Sequence, residues 1–282
     1  GDHTITNNAA FVQDELQVGP SLLTVSVRGD KHSTAGTSIN PRAGLVYHLG
    51  NTIWRASAGT AFRAPTLNEL YWNDTNWQMF GDPNLKPEKS FSYELGLEKQ
   101  LTERTSARIN YFNSLVTDLI LWDYDTATYT TQAKNIGEVK SEGVEFELTR
   151  SLGNGGKGFI DYTSQKVIDQ KDVTAANIGK TLPYMPAEKY SVGLVKDGVS
   201  LIMKHVGERY STTDNSQKLP GYTVVDLKVS RQISDAIMVE LAADNLFDEK
   251  YSEVVGYDPN TFAPRGYPMP GRSYSIGLKL EI

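Results

Sequence analysis

Apolar and polar residues alternate strictly in many segments of this 282-residue chain, and this period of two limits what the chain can fold into. Near the end, Tyr274, Ile276 and Leu278 alternate with Ser275 and Gly277. Because successive side chains of a β-strand point to opposite faces, each such segment predicts a strand with one apolar and one polar face. No stretch of comparable length has helical periodicity. The sequence therefore predicts an all-β fold.

The alternation predicts about thirteen strands. They lie near residues 8–18, 21–32, 39–49, 51–62, 88–100, 103–121, 132–151, 156–169, 187–196, 198–210, 220–232, 236–247 and 271–282. Strands of about ten to twelve residues suit a tilted membrane crossing, whereas strands of soluble domains average about five or six residues. Strand length therefore favours a membrane protein.

The connections between the predicted strands are of two kinds. Tight turns rich in Gly, Asn and Asp alternate with long links near residues 63–87, 170–186, 211–219 and 248–270. A barrel that crosses a membrane has short turns on the periplasmic side and long loops outside. The sequence therefore predicts a transmembrane antiparallel up-and-down β-barrel. A soluble β-sandwich binding module and a passive porin of about fourteen strands remain the alternatives.

The direction of the strands follows from the turns. If the short turns are periplasmic, both the first and the last predicted strand run from outside to inside. An even-stranded barrel starts and ends at the periplasmic rim. The odd count predicts that residues 1–282 are the C-terminal part of a larger barrel and that its first strands lie outside this sequence. We expect the last strand to turn its apolar face to lipid and its polar face to the lumen.

Composition and motifs exclude several classes of function. The net charge of −6 provides no basic field for nucleic acid, and the absence of cysteine excludes a thiol site. The histidines His3, His32, His48 and His205 are scattered without ligand spacing. The segment GNGGKG at 153–158 lacks the ending of a phosphate-binding loop and predicts a hairpin turn. Loop carboxylates lack EF-hand spacing. The sequence therefore predicts no enzyme, no cofactor and no metal site.

Two long loops are rich in aromatic residues. The first contains YWNDTNWQMFGDPNLKPEK, and the second ends in the proline-stiffened PRGYPMPGR. Exposed aromatic side chains indicate binding of a bulky, partly apolar ligand, although the same residues could pack the loops onto the barrel rim. The predicted ligand-binding residues are Trp72, Trp77, Phe80, Tyr257, Phe262 and Arg265.

Several motifs occur in the order typical of one family. They are FVQDEL (11–16), SLLTVSVRGD (21–30), NPRAGLVYHL (40–49), TAFRAPTLNELY (60–71), GDPNLKPEKSFSYELGLE (81–98), NIGEVKSEGVEFEL (135–148), DNLFDEKY (244–251) and GYPMPGRSY (266–274). The sequence resembles the TonB-dependent outer-membrane receptors along nearly its whole length. The segments from residue 245 to 274 look most like the receptors for cobalamin and related corrinoids.

The resemblance implies a barrel of about 22 strands filled by an N-terminal plug domain, with neither the plug nor the TonB-contacting segment in this sequence. It implies a protein of the bacterial outer membrane, surrounded by lipid, that imports a large and scarce ligand with energy from the TonB complex. Cobalamin is the favoured ligand, and a ferric siderophore or haem is the alternative. Members usually end on Phe or Trp, whereas this sequence ends on Ile282.

Most motif residues are expected to be structural and not ligand-binding. Among them, Glu88, Glu145 and Arg272 are expected to serve hydrogen-bond networks in the lumen or contacts with the plug. The set is Arg63, Pro65, Glu69, Pro83, Pro87, Glu88, Gly143, Glu145, Asn245, Phe247, Tyr251, Gly271 and Arg272.

Overall fold

The structure is a computed structural model that describes residues 3–125, 128–172, 174–257 and 264–280. One short helix, α1, spans Leu67–Tyr71, and a 3₁₀ turn spans Ala175–Asn177. The strands are β1 Asn7–Val18, β2 Ser21–His32, β3 Gly36–Leu49, β4 Thr52–Arg63, β5 Asn73–Asp74, β6 Met79–Phe80, β7 Glu88–Thr102, β8 Thr105–Asp125, β9 Thr130–Gly153, β10 Gly156–Lys171, β11 Glu188–Lys196, β12 Val199–Val206, β13 Arg209–Tyr210, β14 Lys218–Leu219, β15 Tyr222–Ser234, β16 Ile237–Asp244, β17 Ser252–Tyr257, β18 Pro264–Pro268 and β19 Ser273–Leu280.

The long strands follow one another in the sheet in chain order. That order is β1-β2-β3-β4-β7-β8-β9-β10-β11-β12-β15-β16-β19. Where the register is described between these neighbours, the pairing is antiparallel. The prediction of about thirteen antiparallel strands is confirmed. Five short strands, β5, β6, β14, β17 and β18, lie in the predicted long links. β13 falls at the end of the strand predicted for 198–210, which in the structure stops at Val206.

The chain divides into two compact units, which share the four long strands β7 to β10. The first consists of Gly1–Leu97, Tyr111–Glu142 and Val167–Lys180, and the second of Glu98–Asn110, Gly143–Lys166 and Thr181–Ile282. Each unit contains strands with one apolar and one polar face.

In the first unit, the apolar face runs across β1 to β4. Leu16 pairs with Leu23, Leu23 with Leu45, and Leu45 with Ala56, so these side chains form one row across four strands. The three leucines are exposed, at 54%, 38% and 41% of their surface. An apolar row of this kind in contact with water would be costly, because burial of apolar surface is a dominant favourable term in folding.

In the second unit, the corresponding row crosses five strands. Leu194 pairs with Leu201, Leu201 with Leu227, Leu227 with Ala243, and Ala243 with Tyr274. The alternation that the sequence displays therefore becomes a continuous apolar surface, because each register keeps the apolar residues on the same side.

The opposite face of the second unit is charged. Lys204 Nζ lies 3.3 Å from a carboxylate oxygen of Asp226, and Lys228 Nζ lies 2.6 Å from one of Glu240. Arg108 joins the carboxylates of Glu98 and Glu147, at 3.1 Å and 3.4 Å. Such exposed pairs stabilise a fold only weakly, but they define a polar surface.

The short connections have the backbone that their sequences predict. Asn154 and the two glycines beside it, Gly153 and Gly155, have positive φ angles in the β9–β10 turn, which confirms the hairpin predicted for residues 153–158. Within the described ranges, no helix is both long and apolar enough to span a bilayer. In the same part of the chain, no three side chains of His, Asp or Glu come together as metal ligands.

Candidate ligand-binding loop

The segment between β4 and β7 begins with helix α1. Thr66 caps the helix, because its hydroxyl oxygen accepts the backbone N–H of Glu69 at 3.2 Å. The Glu69 carboxylate in turn accepts the backbone N–H of Thr66 at 2.7 Å. This reciprocal capping box satisfies two donors that a helix start leaves unpaired. The preceding Pro65 is fully buried.

Arg63 ties this helix to the sheet. Its Nε donates to Glu88 at 2.6 Å, and its Nη2 forms a second, very short contact with the other oxygen of that carboxylate. Nη1 and Nη2 each donate to the Glu69 carboxylate at 3.0 Å. Glu88 is only 7% exposed and also accepts the backbone N–H of Ile120 at 2.9 Å. One guanidinium therefore pairs with two carboxylates, one of which is buried.

The electrostatics of Glu69 follow from these contacts. Burial opposes ionisation, but hydrogen bonds from Arg63 and Thr66 outweigh it and hold the pKa of Glu69 below its ordinary value of 4.5. Because its pKa is lower in the folded state, the Glu69 carboxylate stabilises the fold at pH values above its ordinary pKa. This contribution is lost as the pH falls through the lowered pKa. The contact between Arg63 and Glu69 is therefore intact at neutral pH.

A small apolar core lies beneath the loop. Leu70 of α1 packs with Leu85, Ile120 and Ala133, and all four are buried. Tyr71 and Trp122 pack against this core and close it. Part of the aromatic group in this loop therefore serves packing, which was one of the two interpretations of its sequence.

Asn135 fixes the return of the loop to β7. Its side-chain oxygen accepts the backbone N–H of Lys86 at 2.7 Å, and its amide group donates to the carbonyl oxygens of Lys86 and Asp118 at 2.9 Å and 2.7 Å. An amide that bridges two backbone segments in this way satisfies polar groups that would otherwise be costly to bury.

Gly81 lies against the backbone of α1. A Cβ atom at this position would lie 2.6 Å from the carbonyl oxygen of Glu69 and 2.8 Å from the nitrogen of Tyr71. We expect Gly81→Ala to destabilise the loop by about 1–3 kcal/mol, because backbone cannot move aside as a flexible side chain can. Faster amide hydrogen exchange in α1 would report this change. Gly29→Ala, on a strand where a Cβ meets nothing within 4 Å, is the matched control and should leave the exchange unchanged.

The tip of the loop is a small hairpin that joins the β8–β9 connection. Met79 in β6 pairs in parallel with Thr131 in β9, and the Thr131 N–H donates to the Gln78 carbonyl at 2.8 Å. Trp77 and Tyr129 lie in the turns that precede β6 and β9. Trp77 is 82% exposed and Tyr129 is 71% exposed. The segments on either side of the β6–β9 pairing therefore each present an aromatic side chain to solvent.

A concave groove lies on the other side of α1. The ring of His3 stacks on Tyr71 with centroids 3.7 Å apart, and Trp72 and Asp74 line the same groove. Its volume of about 430 Å³ falls within the usual range for small-molecule sites. Aromatic walls with one carboxylate suit a partly apolar ligand.

The predicted ligand-binding residues fall in different parts of the chain. Trp72 follows α1 and is exposed, Trp77 is at the hairpin tip, and Phe80 is half-buried in β6. In the second unit, Arg265 is exposed in β18, and the backbone of Tyr257 ends β17. Phe262 lies outside the described residues. Tyr129 was missed, because no local pattern shows the pairing of β6 with β9 that brings its segment to this loop.

The second motif region is also held by hydrogen bonds. Asn245 is 6% exposed, its amide group donates to the carbonyls of Glu249 and Pro270, and its side-chain oxygen accepts the Glu249 N–H at 2.8 Å. The Arg272 N–H donates to the Asp248 carboxylate at 2.9 Å. These contacts join the two ends of the loop that begins after β16.

Two of the motif residues expected in the lumen differ in their surroundings. Glu145 accepts a long hydrogen bond of 3.4 Å from Asn110 on the charged face. The guanidinium of Arg272 instead lies 5.8 Å from the ring centre of Tyr274, a residue of the apolar row. Arg272 precedes β19, and its Nη1 also donates to the carbonyl oxygen of Leu246 at 3.4 Å. That Arg272 serves a lumen network or a plug contact stays a prediction.

The fold and these loops define the class of protein. Residues 1–246 match the family described as TonB dependent receptor-like, beta-barrel. The chain therefore belongs to the TonB-dependent receptor family, whose members are β-barrel proteins of the outer membrane. This membership decides against the soluble sandwich and the passive porin.

Two curated relatives of this chain are vitamin B12 transporters. The chain is 30% identical over 257 residues to the vitamin B12 transporter BtuB of Photobacterium profundum, an alignment that covers 87% of this chain and 40% of that protein. It is 27% identical over 274 residues to the protein of the same name from Vibrio vulnificus, an alignment that covers 93% of this chain and 42% of that protein. The chain thus spans about two fifths of the length of these curated relatives.

Solved structures show the same fold. A ferric enterobactin receptor mutant of PfeA from Pseudomonas aeruginosa superimposes with a TM-score of 0.79 at 20% identity, over 98% of this chain and 45% of that chain. The ferric-catecholate import receptor Fiu from K12 E. coli superimposes with a TM-score of 0.76 at 19% identity, over 98% of this chain and 44% of that chain. At these identities the likeness shows the fold, and the predicted transmembrane β-barrel is confirmed.

Proposed function

We propose that this chain forms part of the barrel of an outer-membrane receptor that binds cobalamin and imports it with energy from TonB. The observation that carries the proposal is the 30% identity to a vitamin B12 transporter across 87% of the chain. In this proposal the barrel continues outside the present sequence and encloses a plug domain. Binding and passage require no bond to be made or broken, so no enzymatic activity is involved.

The exposed faces support a membrane position. The apolar rows of both units contact lipid, because a hydrocarbon surface is the environment in which they incur no hydration cost. The backbone of the paired strands is satisfied within the sheet, as a bilayer requires. The charged face lines the lumen.

The ligand contacts are assigned to the aromatic loops. Trp77 and Tyr129 present rings on a backbone fixed by the pairing of β6 with β9, so few degrees of freedom are lost on binding. Trp72 lines the neighbouring groove, and Phe80 supports the hairpin. From the second unit, Arg265 contributes a cation. Tyr257 and Phe262 complete the proposed set. A large conjugated ring system such as that of cobalamin offers the flat apolar surface that aromatic side chains contact well.

The proposal is tested by ligand binding to the intact receptor in detergent. Free cyanocobalamin is separated by ultrafiltration and measured by its visible absorbance, with ferric enterobactin as the competing ligand. We expect cyanocobalamin to bind and ferric enterobactin not to displace it. Displacement by ferric enterobactin would instead assign the receptor to siderophores.

Substitution of Trp77 and of Tyr129 gives a sharper prediction for the same binding measurement. Trp77→Ala and Tyr129→Ala should each weaken cyanocobalamin binding about tenfold or more, because buried aromatic anchors are the commonest energetic centres of binding sites. Trp54→Ala removes an equally large ring from the apolar face of β4, where it is 50% exposed, and should change the affinity less than twofold. Equal effects of Trp54 and Trp77 would contradict this assignment.

A further inference from the structure

We propose that a groove on the apolar face of the first unit binds an anionic phospholipid of the outer membrane. The groove has a volume of about 360 Å³ and crosses β3, β4, β7 and β8. In the proposal, one acyl chain occupies the groove and the phosphate lies against two lysine side chains at its polar end. The inference rests on the membrane position of the chain and not on the identity of the imported ligand.

The walls of the groove are bulky and its floor is shallow. Ile39, Phe91 and Leu115 stand along it, and Thr60 and Ala61 of β4 lie between them. Ile39 is 68% exposed and Phe91 is 50% exposed. Ile39 lies on the same face of β3 as Leu45, because both are odd-numbered residues of one regular strand. The groove therefore opens on the face that contacts lipid.

Two cations mark one end of the groove. Lys89 lines it directly, and Lys31 pairs across the strands with Thr37, another lining residue. Both lysines are exposed. Among the described residues, neither has a carboxylate within 4 Å, whereas Lys204 and Lys228 of the charged face are paired.

Charge complementarity decides between possible occupants. A neutral acyl chain alone would leave both ammonium groups unpaired at the edge of the hydrocarbon. An anionic phospholipid fills the groove with its chain and pairs the phosphate with Lys31 and Lys89, and lysine is a strong phosphate partner. Each lysine near a membrane surface strengthens binding of anionic lipid about fivefold.

The test is lipid binding to the delipidated intact receptor, followed by native mass spectrometry. Phosphatidylglycerol and phosphatidylcholine with identical acyl chains are the probes, and glycerol 3-phosphate is the competitor without a chain. We expect one tightly held phosphatidylglycerol that neither phosphatidylcholine nor glycerol 3-phosphate displaces. Retention of phosphatidylcholine to the same degree would overturn the proposal, as would displacement by glycerol 3-phosphate.

Variants separate the charge from the groove. Lys31→Ala with Lys89→Ala should weaken phosphatidylglycerol binding about 25-fold, the product of two fivefold effects. Thr60→Phe, which fills the groove without changing charge, should weaken it as well. Lys189→Ala, an exposed lysine at a charged-face position of β11, is the control and should bind as the parent does. Unchanged binding in the double lysine variant or in Thr60→Phe would contradict the site, and circular dichroism of each variant establishes that the barrel is folded.

Discussion

Replacement of Arg63 by methionine is expected to open helix α1 and its loop. The change removes all four hydrogen bonds to Glu69 and Glu88 and leaves the buried Glu88 carboxylate without its counter-charge. Breaking a buried ion pair in this way costs about 3 kcal/mol, the lower end of the usual range, because the Arg63 side chain is itself 44% exposed. Amide exchange at Leu70 and Trp72, whose N–H groups bond to Thr66 and Asn68, should become about 100-fold faster.

Two further variants show that the effect comes from the buried charge. Arg63→Met combined with Glu88→Gln should recover part of the lost protection, since a neutral amide still accepts the N–H of Ile120. Arg108→Met also removes an arginine between two glutamates, but their side chains are 27% and 44% exposed and neither is buried, so about 1 kcal/mol or less is expected. If Arg63→Met left the exchange of α1 at its parental rate, the role of this cluster would be refuted.

Replacement of Asn245 by alanine is expected to be almost as damaging. The side chain makes three hydrogen bonds to the partly buried backbone of Glu249 and Pro270, and their loss costs about 1 kcal/mol for each. Asn245 also has a φ of 50°, a left-handed conformation that costs alanine about 1 kcal/mol more than asparagine or glycine. Proteolysis of the segment from 248 to 272 should accelerate strongly.

The two contributions can be measured separately. Asn245→Gly loses the same hydrogen bonds but tolerates the positive φ, so the difference between the glycine and alanine variants reports the backbone strain alone. Asn154→Ala is the matched control, because Asn154 is exposed in a turn with a φ of 46°. It should show the strain without the loss of hydrogen bonds. Equal proteolysis of the Asn154 and Asn245 alanine variants would contradict the structural role of the Asn245 amide.

The strands could be predicted because their period is local. Predicted bounds such as 21–32 coincide with β2, and 39–49 differs from β3 by three residues at one end. In each strand, a register shift of one residue would turn the apolar side chains to the opposite face of the sheet. The alternation in the sequence therefore constrains the register. The five residues of α1 were missed, because they are too few for a 3.6-residue period to be recognisable.

The loop contacts could not be predicted in the same way. The position of Asn135 in a motif gave no indication that its amide bridges Lys86 and Asp118, since these partners are brought close only by the paired strands. The meeting of the segments that contain Trp77 and Tyr129 likewise depends on the parallel pairing of β6 with β9. For Arg272, the alternation predicted a strand from residue 271, whereas β19 begins at Ser273, because the Arg272 N–H bonds to the Asp248 carboxylate and not to a neighbouring strand.

Uptake of radiolabelled cyanocobalamin would show whether the receptor imports this ligand with energy from the inner membrane. The intact receptor is expressed in cells that have no other cobalamin receptor, and label bound at the surface is distinguished from label accumulated inside. We expect accumulation that stops when a protonophore collapses the energy of the inner membrane, while surface binding persists. Cells that neither bind nor accumulate cyanocobalamin, or that accumulate it at the same rate with the protonophore present, would contradict this expectation.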